Sequence, residues 1–497
     1  MNYISTRDKS VKVTAAKAIA QGISVEGGLF VPDTFPLFSD SDFKALIDMD
    51  YKGRAKFVLK NFLNDFTEEE VDYCVEGAYT GSFDNEQPAP ISLIGEKQKI
   101  LELWHGPTCA FKDLALQLLP YLLTTSAKKV NDGKKAVILV ATSGDTGKAA
   151  LEGFKDVENT EIMVFYPSEG VSPMQKLQMD SQSGENVHVC AIKGNFDDAQ
   201  TGVKKIFTDN AVKEKLLENN MLFSSANSIN WGRLAPQIVY YVSAYCDLLK
   251  MDETVKEKGF NIVVPTGNFG NILAAYYAKK MGVPVNKLIC ASNANNVLTD
   301  FIRTGKYDRN REFYTTASPS MDILISSNLE RMLFELSGND DKKVAALQES
   351  LSTNGTFTVD GEIKKGLDEL FWAGCCDDKA TLETIGNYFS ECSYLADTHT
   401  AVALNVYNQY VKETGDDRQT VIASTASPYK FAKSVLEAVS DKLSDSEFGN
   451  VRLLNEITET EIPEPIKALE NANVRFKEIC EKDEMLSAVY KALGIEN

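Results

Sequence analysis

The stretch AVILVATSGDTGKAALEGF, residues 136–154, decides the fold class of this chain. It begins with a short apolar run rich in β-branched residues, continues through a polar turn with two glycines, and ends in a helix-like segment. Four further apolar runs of this kind follow: IMVFYP (162–167), NIVVP (261–265), KLICASN (287–293) and TVIASTA (420–426). Runs that are buried on both faces and separated by helices predict an α/β fold with parallel sheets. Such sheets bind ligands at the carboxyl ends of their strands, where these polar turns lie.

The composition and charge of the chain indicate which partners it does not bind. The chain has 497 residues, 43% of them apolar and 25% charged, and its 52 basic and 71 acidic residues give a net charge of −19. Because nucleic-acid binding rests on neutralising phosphates with Lys and Arg, so acidic a chain predicts no nucleic-acid partner. No window approaches the roughly 18 consecutive apolar residues of a membrane-spanning helix, and the polar start lacks a signal peptide. No membrane association is expected.

The cysteines and histidines argue against a metal site. The nine cysteines are scattered without a CxxC pair, and there are only three histidines: His105, His188 and His399. A metal centre with the usual Cys or His spacing is therefore not expected. Cysteines in this pattern indicate reduced thiols and hence a cytoplasmic protein.

The length predicts about three domains or lobes, at roughly 150 residues each. The turn-rich segment GSFDNEQPAP (81–90) separates an opening region from the alternating strands and helices. In the opening region, FTEEEVDYCVEGAY (66–79) predicts a helix with a capping box of Thr67 and Glu70. The expected units are an N-terminal domain (1–95), a small α/β lobe (131–229) and a large lobe (96–130 and 230–497) with a polar helical elaboration near 300–390.

The loop PTGNFGN (265–271) joins an apolar run to a helical segment. Glycine and asparagine tolerate positive φ, so successive N–H groups can turn inward and, with the N-terminus of the following helix, cradle an anion. The loop lacks the Lys-Ser/Thr pair of a P-loop and the spacing of a dinucleotide fingerprint, which favours a single phosphate. A plain tight turn is an equally good interpretation of the loop alone.

A second polar turn, ATSGDTGKAA (141–150), resembles the end of a P-loop, but Ala149 replaces the required hydroxyl residue. Ser143, Thr146 and the N–H groups of the turn can instead hold a small anion such as a carboxylate. An ordinary α/β turn is again the alternative.

Lys112 stands in the first turn of a strongly apolar helical segment, within WHGPTCAFKDLALQLLPYLL (104–123). The helix dipole disfavours a cation there, and Trp104 and Phe111 would shield it from water. Both effects lower the pKa of the lysine and favour Schiff-base chemistry. A surface lysine beside Asp113 is the alternative. Together with a single-phosphate loop on an α/β scaffold, however, such a lysine indicates pyridoxal phosphate (PLP) as cofactor.

Four segments occur in the order typical of the threonine synthase family: HGPTCAFKD (105–113), SGDTG (143–147), GNFGN (267–271) and ASTASPYKF (423–431). Five other segments match as well: YISTRD (3–8), GGLFVP (27–32), SSANSINWGR (224–233), SPSMDI (318–323) and DTHTAV (397–402). The chain thus resembles the long form of this family over nearly its whole length. The resemblance implies a two-lobed, fold-type II PLP enzyme, similar in architecture to tryptophan synthase β, with an added N-terminal domain.

The resemblance also implies roles for individual residues. Lys112 would bind the PLP aldehyde as a Schiff base and then move protons as general base and acid. Thr425, with Ser424 as a close competitor, would hydrogen-bond the pyridine nitrogen. The PLP phosphate would be held by the loop residues Gly267, Asn268, Phe269, Gly270 and Asn271. The substrate carboxylate and the ring hydroxyl would face Ser143, Gly144, Asp145, Thr146 and Gly147. The position of Asp145 is often Asn in the wider group.

The implied reaction converts O-phospho-L-homoserine and water into L-threonine and phosphate, with phosphate leaving from Cγ and water adding at Cβ. The expected ligands of the substrate phosphate are Ser228, Asn230 and Arg233, with Thr108 and Lys176 as further candidates. For Arg233, a helix salt bridge is an equally good interpretation. His105 and His399 would either position the substrate or serve as buried structural residues.

Three positions depart from the family pattern: Ser427 stands where long forms usually carry His, Thr398 replaces a usual Pro, and Ala403 replaces a usual Gly. They affect the surroundings of Thr425 more than Lys112 or the phosphate loop. Two other functions stay open. One is a PLP-dependent serine/threonine dehydratase or tryptophan synthase β-like enzyme, and the other is a non-catalytic, threonine synthase-like PLP-binding protein. Monomer and homodimer are both compatible with the sequence.

Overall fold

The opening region of the chain packs on the rest of the molecule. The structure, a computed structural model, describes residues 1–130, 133–142, 144–169 and 171–496, with the backbone alone at residue 197. The opening region consists of β1 (Tyr3–Ser5), β2 (Lys12–Val13), α1 (Ala15–Gln21), β3 (Phe30–Pro32), α2 (Asp40–Ile47), α3 (Tyr51–Lys60) and α4 (Glu68–Tyr79). The predicted capping box of Thr67 and Glu70 is present at the start of α4. The ring of Tyr3 lies 5.3 Å from that of Trp231, so this region shares a core with the later helices.

The small lobe lies in the middle of the sequence. The connecting elements before it are β4 (Ile91–Leu93), β5 (Gln98–Glu102) and α5 (Lys112–Val130). The lobe itself contains β6 (Lys135–Ala141), α6 (Asp145–Phe154), β7 (Thr160–Pro167), α7 (Pro173–Asp180), β8 (Val187–Ile192), α8 (Phe196–Thr208), α9 (Asn210–Glu218) and β9 (Met221–Ser224). Its strands β8, β7, β6 and β9 are neighbours in that order and all parallel.

The large lobe holds the remaining elements except the last two of the chain. Its first half comprises α10 (Trp231–Met251), α11 (Val255–Lys258), β10 (Phe260–Pro265), α12 (Gly270–Lys280), β11 (Val285–Ser292), α13 (Val297–Thr304), β12 (Lys306–Asp308), α14 (Leu329–Leu336), α15 (Asp341–Asn354) and β13 (Thr356–Thr358). Its second half comprises α16 (Gly361–Leu370), β14 (Phe371–Cys375), α17 (Asp378–Cys392), α18 (Thr398–Thr414), β15 (Thr420–Ser424), α19 (Ala432–Val439), α20 (Glu447–Thr458) and α21 (Glu464–Leu469). The chain ends with β16 (Ile479–Cys480) and α22 (Met485–Leu493).

The large sheet has the strand order β14-β11-β10-β15-β5-β4. All neighbours are parallel except the edge pair of β4 and β5, which is antiparallel. Every residue of β10 and β15 is buried, as expected where helices cover both faces of a parallel sheet. The predicted α/β architecture with parallel sheets is confirmed.

Three short strands were not foreseen within the predicted units, whose boundaries stay predictions. Strand β4 lies within the predicted N-terminal domain (1–95) but pairs with β5 in the large sheet. Strand β14 lies within the predicted helical elaboration (300–390) but forms the other edge of that sheet. The end of the chain, assigned to the large lobe, returns to the small lobe, where β16 pairs with β8 and α22 packs beside it. Strands β4 and β16 have only three and two residues, too few for a recognisable hydrophobic pattern, and β14, with the sequence FWAGC, has no β-branched residue.

Two further observations concern membranes and metals. No described helix is long and apolar enough to cross a bilayer. Within the residues that the structure describes, no group of three or more His, Cys, Asp or Glu side chains is arranged to hold a metal ion.

Candidate active site

Three of the predicted motifs meet because β10, β15 and β5 are adjacent in the large sheet. The glycine loop follows β10, Thr425 follows β15, and the segment leading to Lys112 follows β5. Backbone hydrogen bonds join the last two: the N–H of Phe111 donates to the carbonyl of Thr425 (2.8 Å), and the N–H of Ser427 donates to that of Cys109 (3.1 Å). The motifs therefore lie at the carboxyl ends of parallel strands, where ligands bind in this class of sheet.

Lys112 is the first residue of α5, and its side chain is only 11% exposed. Its Nζ lies 4.8 Å from the centre of the Phe111 ring and 3.8 Å from Oδ2 of Asp145. Burial lowers the pKa of Lys112 to about 8, although the charge of Asp145 acts in the opposite direction. The shift has the direction predicted from the sequence, and it leaves far more free amine at neutral pH than an ordinary lysine has, about a tenth of the molecules at pH 7.

Asp145 connects the two lobes. Its Oδ1 accepts hydrogen bonds from Lys430 Nζ (2.6 Å) and Gln175 Nε2 (2.9 Å), and its Oδ2 accepts one from Ser320 Oγ (3.0 Å). Burial acts to raise the pKa of Asp145, but the charges of Lys430 and Lys112 outweigh it and hold the pKa well below its usual range. The carboxylate is thus ionised and surrounded by donors from both lobes.

The turn that carries Asp145 is shaped by Thr142. Its hydroxyl oxygen accepts hydrogen bonds from the N–H groups of Gly144 and Gly147, each at 3.0 Å. A Cβ at Gly144, whose φ is 148°, would run into the Gln175 side chain, so only glycine fits there. Thr146 is half-buried, and Ser143, predicted to contact the substrate carboxylate, lies outside the described residues.

The glycine loop between β10 and α12 uses its glycines differently from the sequence prediction. The left-handed residue is Phe269, with a φ of 63°, whereas neither Gly267 nor Gly270 has a positive φ. Gly267 is required for space instead, because a Cβ there would lie 2.8 Å from the carbonyl oxygen of Ser320. The carbonyl of Asn268 accepts a hydrogen bond from the N–H of Asn328 (3.0 Å), which ties the loop to the start of α14.

Asn271 provides a free donor beside this loop. Its Oδ1 accepts a hydrogen bond from the hydroxyl of Tyr241 (2.6 Å), while its Nδ2 is buried with no partner among the described residues. A buried amide without a partner costs free energy, which a bound anion would recover. Since α12 begins at Gly270, the positive end of its dipole faces the same space.

The structure separates the roles of Thr425 and Ser424. Ser424 Oγ accepts a hydrogen bond from Trp104 Nε1 (3.0 Å) and lies within hydrogen-bond distance of the hydroxyls of Thr400 (3.0 Å) and Tyr394 (3.4 Å). The hydroxyl of Thr425 makes no hydrogen bond to any described residue. Thr425 is therefore available to a ligand, whereas Ser424 is occupied by the protein. Ser427, where the family usually carries His, accepts a hydrogen bond from the N–H of Tyr429 (3.3 Å) and caps a short turn.

Arg233 is the strongest candidate for binding a second phosphate. It is buried in the first turn of α10, and its Nη1 donates to the carbonyl of Ala226 (2.6 Å) while its Nε has no partner. Within the described residues no carboxylate pairs with it, so the alternative of a helix salt bridge is not observed. Burial lowers the pKa of Arg233 to about 10, which leaves it cationic at neutral pH. Ser228, half-buried before α10, accepts a hydrogen bond from Asn328 Nδ2 (3.2 Å).

Three other predicted phosphate ligands are placed differently. The amide of Asn230 donates to the carbonyls of Ile19 (2.9 Å) and Ser225 (2.8 Å), and its oxygen caps α10. The hydroxyl of Thr108 donates to Asp113 (2.5 Å). Lys176 is exposed on α7 and contacts no described carboxylate. Asn230 and Thr108 therefore shape the site through protein contacts.

The two candidate histidines have structural partners. Burial acts to lower the pKa of His105, but hydrogen bonds to Asp84 (2.8 Å) and Glu102 (2.9 Å) raise it to about 9. His399 accepts a hydrogen bond at Nε2 from the N–H of Ser320 (3.1 Å), so its Nδ1 carries the hydrogen and donates to Asp397 (2.9 Å). Both rings orient neighbouring segments of the site.

Sequence reasoning missed three residues that contact Asp145: Lys430, Ser320 and Gln175. Lys430 and Ser320 lie inside segments already recognised, ASTASPYKF and SPSMDI. The sequence does not show that the turn after Thr425 brings Lys430 into contact with Asp145 of the other lobe, so its role could not be predicted from the motif. Gln175 is the third residue of α7 and belongs to none of the motifs recognised in the sequence.

Comparison with protein families defines the class of protein first. The family described as "Pyridoxal-phosphate dependent enzyme" matches residues 100–356, about half of the chain, so the fold is that of a PLP-dependent enzyme. Two further families flank it, "Threonine synthase N terminus" at residues 2–79 and "Threonine synthase, C-terminal" at residues 400–491. The chain belongs to the threonine synthase family, which confirms the resemblance found in its motifs.

Individual relatives agree with this assignment. The chain is 37% identical to threonine synthase of Pseudomonas aeruginosa over 439 residues, which cover 88% of this chain and 90% of that protein. It is 35% identical to threonine synthase of Saccharomyces cerevisiae over 506 residues, which cover 96% of this chain and 94% of that protein. It is also 40% identical to threonine synthase-like 1 of Homo sapiens over 458 residues, covering 88% of this chain. It spans only 61% of the length of that human protein.

Solved structures confirm the fold. PLP-bound threonine synthase from Brucella melitensis superposes with a TM-score of 0.88 at 34% identity, covering 100% of both chains. The yeast threonine synthase superposes with a TM-score of 0.87 at 31% identity, covering 99% of both chains. The predicted architecture of two lobes with an N-terminal domain is thereby confirmed.

The described residues fit PLP. The loop after β10 offers helix N–H groups and the unpartnered amide of Asn271 to a phosphate group. The free hydroxyl of Thr425 is available to a ring nitrogen, and the buried amine of Lys112 is available to an aldehyde. The phosphate, the ring nitrogen and the aldehyde of PLP thus each have a matching group among the described residues.

Proposed function

We propose that this protein converts O-phospho-L-homoserine and water into L-threonine and phosphate with PLP as cofactor. The observation that carries the proposal is the buried guanidinium of Arg233, which has no carboxylate partner among the described residues. An isolated buried cation is costly unless an anion accompanies it. A substrate with a phosphate group on its side chain supplies that anion. Serine and threonine carry no such group, so they would leave the guanidinium of Arg233 without a partner.

The residues divide the work as follows. The loop 267–271 holds the cofactor phosphate, and Thr425 donates to or accepts from the ring nitrogen. Bound PLP supplies an electron-withdrawing ring that stabilises negative charge on substrate carbon atoms. Lys112 takes the proton from substrate Cα and returns protons at neighbouring carbons, a role that suits an amine with a pKa of about 8. Arg233 and Ser228 bind the substrate phosphate and stabilise its charge as it leaves from Cγ.

The turn that contains Asp145 completes the substrate site. We assign the N–H groups of Gly144 and Gly147 to fixing the turn, since both donate to Thr142, and Thr146 and Ser143 to the substrate carboxylate. Asn230 and Thr108 keep the surrounding backbone in place through their own hydrogen bonds. Lys176 is exposed and is assigned no contact with substrate.

A choice of substrates tests the proposal. The purified protein with PLP is offered O-phosphohomoserine, L-serine and L-threonine in separate reactions, and both phosphate and 2-keto acid are measured. We expect phosphate release from the first and little keto acid from the others. Keto acid from serine or threonine without phosphate release indicates a dehydratase instead. Binding of PLP without turnover of any substrate indicates a non-catalytic relative. Lys112→Ala is the control that abolishes the near-visible absorbance of the bound cofactor.

We further propose that the protein works in the cytoplasm on a small-molecule substrate, without nucleic acid. All nine cysteines lie within the described residues and none forms a disulfide, which supports a reducing compartment. Fractionation of the producing cells against a cytosolic marker tests the location, and recovery with an oxidising compartment contradicts it.

A further inference from the structure

A second lysine lies in the candidate active site. Lys430 belongs to the short turn Pro428–Phe431, which begins three residues after Thr425, and its side chain is 0% exposed. Its ammonium group contacts Oδ1 of Asp145 at 2.6 Å and donates to the carbonyl of Thr108 at 2.9 Å. A lysine is seldom buried completely without a charged partner, and here the partner is the carboxylate that also faces Lys112.

The position of Lys430 is coupled to that of Lys112 through the backbone. The N–H of Phe111, next to Lys112, donates to the carbonyl of Thr425, and Ala110 forms an isolated bridge with Ala426. The same loop supplies the Thr108 carbonyl that holds the Lys430 ammonium. The two lysines therefore approach Asp145 from one rigid unit of the large lobe, while Asp145 comes from α6 of the small lobe.

Among the described residues, four charged groups on the surrounding elements act most strongly on the Lys112 amine. Asp145 on α6 and Asp113 on α5 favour its protonated form, and Lys430 after β15 and Arg233 on α10 disfavour it. Asp145 makes its short contact with Lys430 and lies farther, at 3.8 Å, from Lys112. The carboxylate is thus satisfied mainly by Lys430, and its attraction for a proton on Lys112 is reduced.

We propose that Lys430 is a positioning residue for Lys112. It fixes the Asp145 carboxylate and adds a like charge nearby, so that the Lys112 amine gives up its proton and reacts with the cofactor aldehyde near neutral pH. The bond formed is between Lys112 Nζ and the aldehyde carbon, with the aldehyde oxygen leaving as water. The proposal rests on the proposed use of PLP, but it does not require that the substrate be O-phosphohomoserine.

The rate of cofactor uptake as a function of pH provides the test. Full-length protein is freed of cofactor and mixed with PLP over a series of pH values, and the growth of the near-visible absorbance gives a rate at each pH. Lys430→Met should move the midpoint of this profile up by about one pH unit, which is roughly tenfold less free amine at a fixed lower pH. Asp145→Asn should move it down, and the double variant should fall between the two single variants.

Two controls separate this role from a merely structural one. Lys148→Met removes another buried lysine from α6, one that contacts Glu152 (3.1 Å) rather than Asp145, and should leave the midpoint unchanged. Lys430→Arg keeps the charge and should keep the midpoint close to that of the parent protein. Loss of packing alone would slow uptake at every pH without moving single-variant midpoints in opposite directions.

The proposal is overturned if Lys430→Met has the midpoint of Lys148→Met, or if both single variants shift in the same direction. If circular dichroism shows that Lys430→Met does not fold, Asp145→Asn is compared with the double variant, whose midpoint must be the higher of the two. Equal midpoints then overturn the proposal. A parent protein that takes up PLP but releases no phosphate contradicts the proposed function alone.

Discussion

Replacing Gly267 by alanine tests whether the loop after β10 binds a phosphate group. A Cβ at this position would lie 2.8 Å from the carbonyl oxygen of Ser320 and 3.5 Å from Cα of Met321. Both atoms belong to backbone, so the loop or the facing turn must move by a few tenths of an ångström. Overpacking of this kind costs about 1–3 kcal/mol. If that cost falls on the ligand-bound shape of the loop, the Kd of PLP rises roughly 5- to 150-fold.

The assay is a titration of the cofactor-free protein with PLP, followed by absorbance and by quenching of protein fluorescence. Gly361→Ala is the matched control, because a Cβ at Gly361 meets no atom within 4 Å and its φ is not positive. Thermal unfolding of both variants without cofactor shows whether the fold itself is altered. The assignment of the loop is refuted if Gly267→Ala binds PLP as tightly as Gly361→Ala.

Three further predictions concern single side chains. Thr425→Val should weaken PLP binding roughly fivefold, about 1 kcal/mol, whereas Ser424→Ala should instead lower the free energy of unfolding by about 1–3 kcal/mol, because it leaves buried donors without an acceptor. If Ser424→Ala instead weakens PLP binding and Thr425→Val instead lowers the free energy of unfolding, Ser424 is the residue that contacts the cofactor. Arg233→Gln should lower kcat/KM for the phosphorylated substrate at least about tenfold, through loss of a charge-assisted contact, and unchanged kinetics would remove Arg233 from the site. His105 has a pKa raised to about 9, so its stabilising contribution, on the order of 3 kcal/mol at most, is present in full below about pH 6.5 and is lost as the pH rises through 9. The free energy of unfolding of His105→Gln should not show this loss between pH 6.5 and 9. If parent and variant lose stability in parallel over this range, the assignment to His105 is wrong.

Local sequence patterns were sufficient to predict the scaffold of the site. The five β-branched runs became β6, β7, β10, β11 and β15, because a parallel sheet covered on both faces requires short, continuously apolar strands. Lys112 begins α5 as the sequence indicates. Since the carboxyl ends of parallel strands share one edge, the motifs after these strands were predictable as neighbours.

The details that the sequence could not provide depend on contacts between distant residues. Gly267 is needed because of the Ser320 carbonyl, 53 positions along the chain from it, and Phe269 rather than a glycine takes the left-handed conformation. The ion pair of Lys430 and Asp145 joins the two lobes, and nothing in the sequence around either residue indicates the other as its partner. Short edge strands such as β14 and β16 are stabilised by the sheet they join rather than by their own composition.

The net charge of −19 does not describe the site. Three basic side chains, Lys112, Lys430 and Arg233, face two carboxyl groups there: that of Asp145, and that of Asp113, whose pKa burial raises to about 6. An acidic protein can therefore bind two phosphate groups through a local excess of positive charge. Because the overall field opposes an anionic substrate, added salt should not slow its capture.

The most direct test of the proposed reaction is the fate of the oxygen atom of water. O-phosphohomoserine is incubated with the protein and PLP in water that carries heavy oxygen, and threonine and phosphate are analysed by mass spectrometry. Since phosphate leaves by cleavage of the Cγ–O bond and water adds at Cβ, we expect one labelled threonine for each unlabelled phosphate, and neither product without PLP. Label in the phosphate, or phosphate release without threonine, would contradict the proposed function.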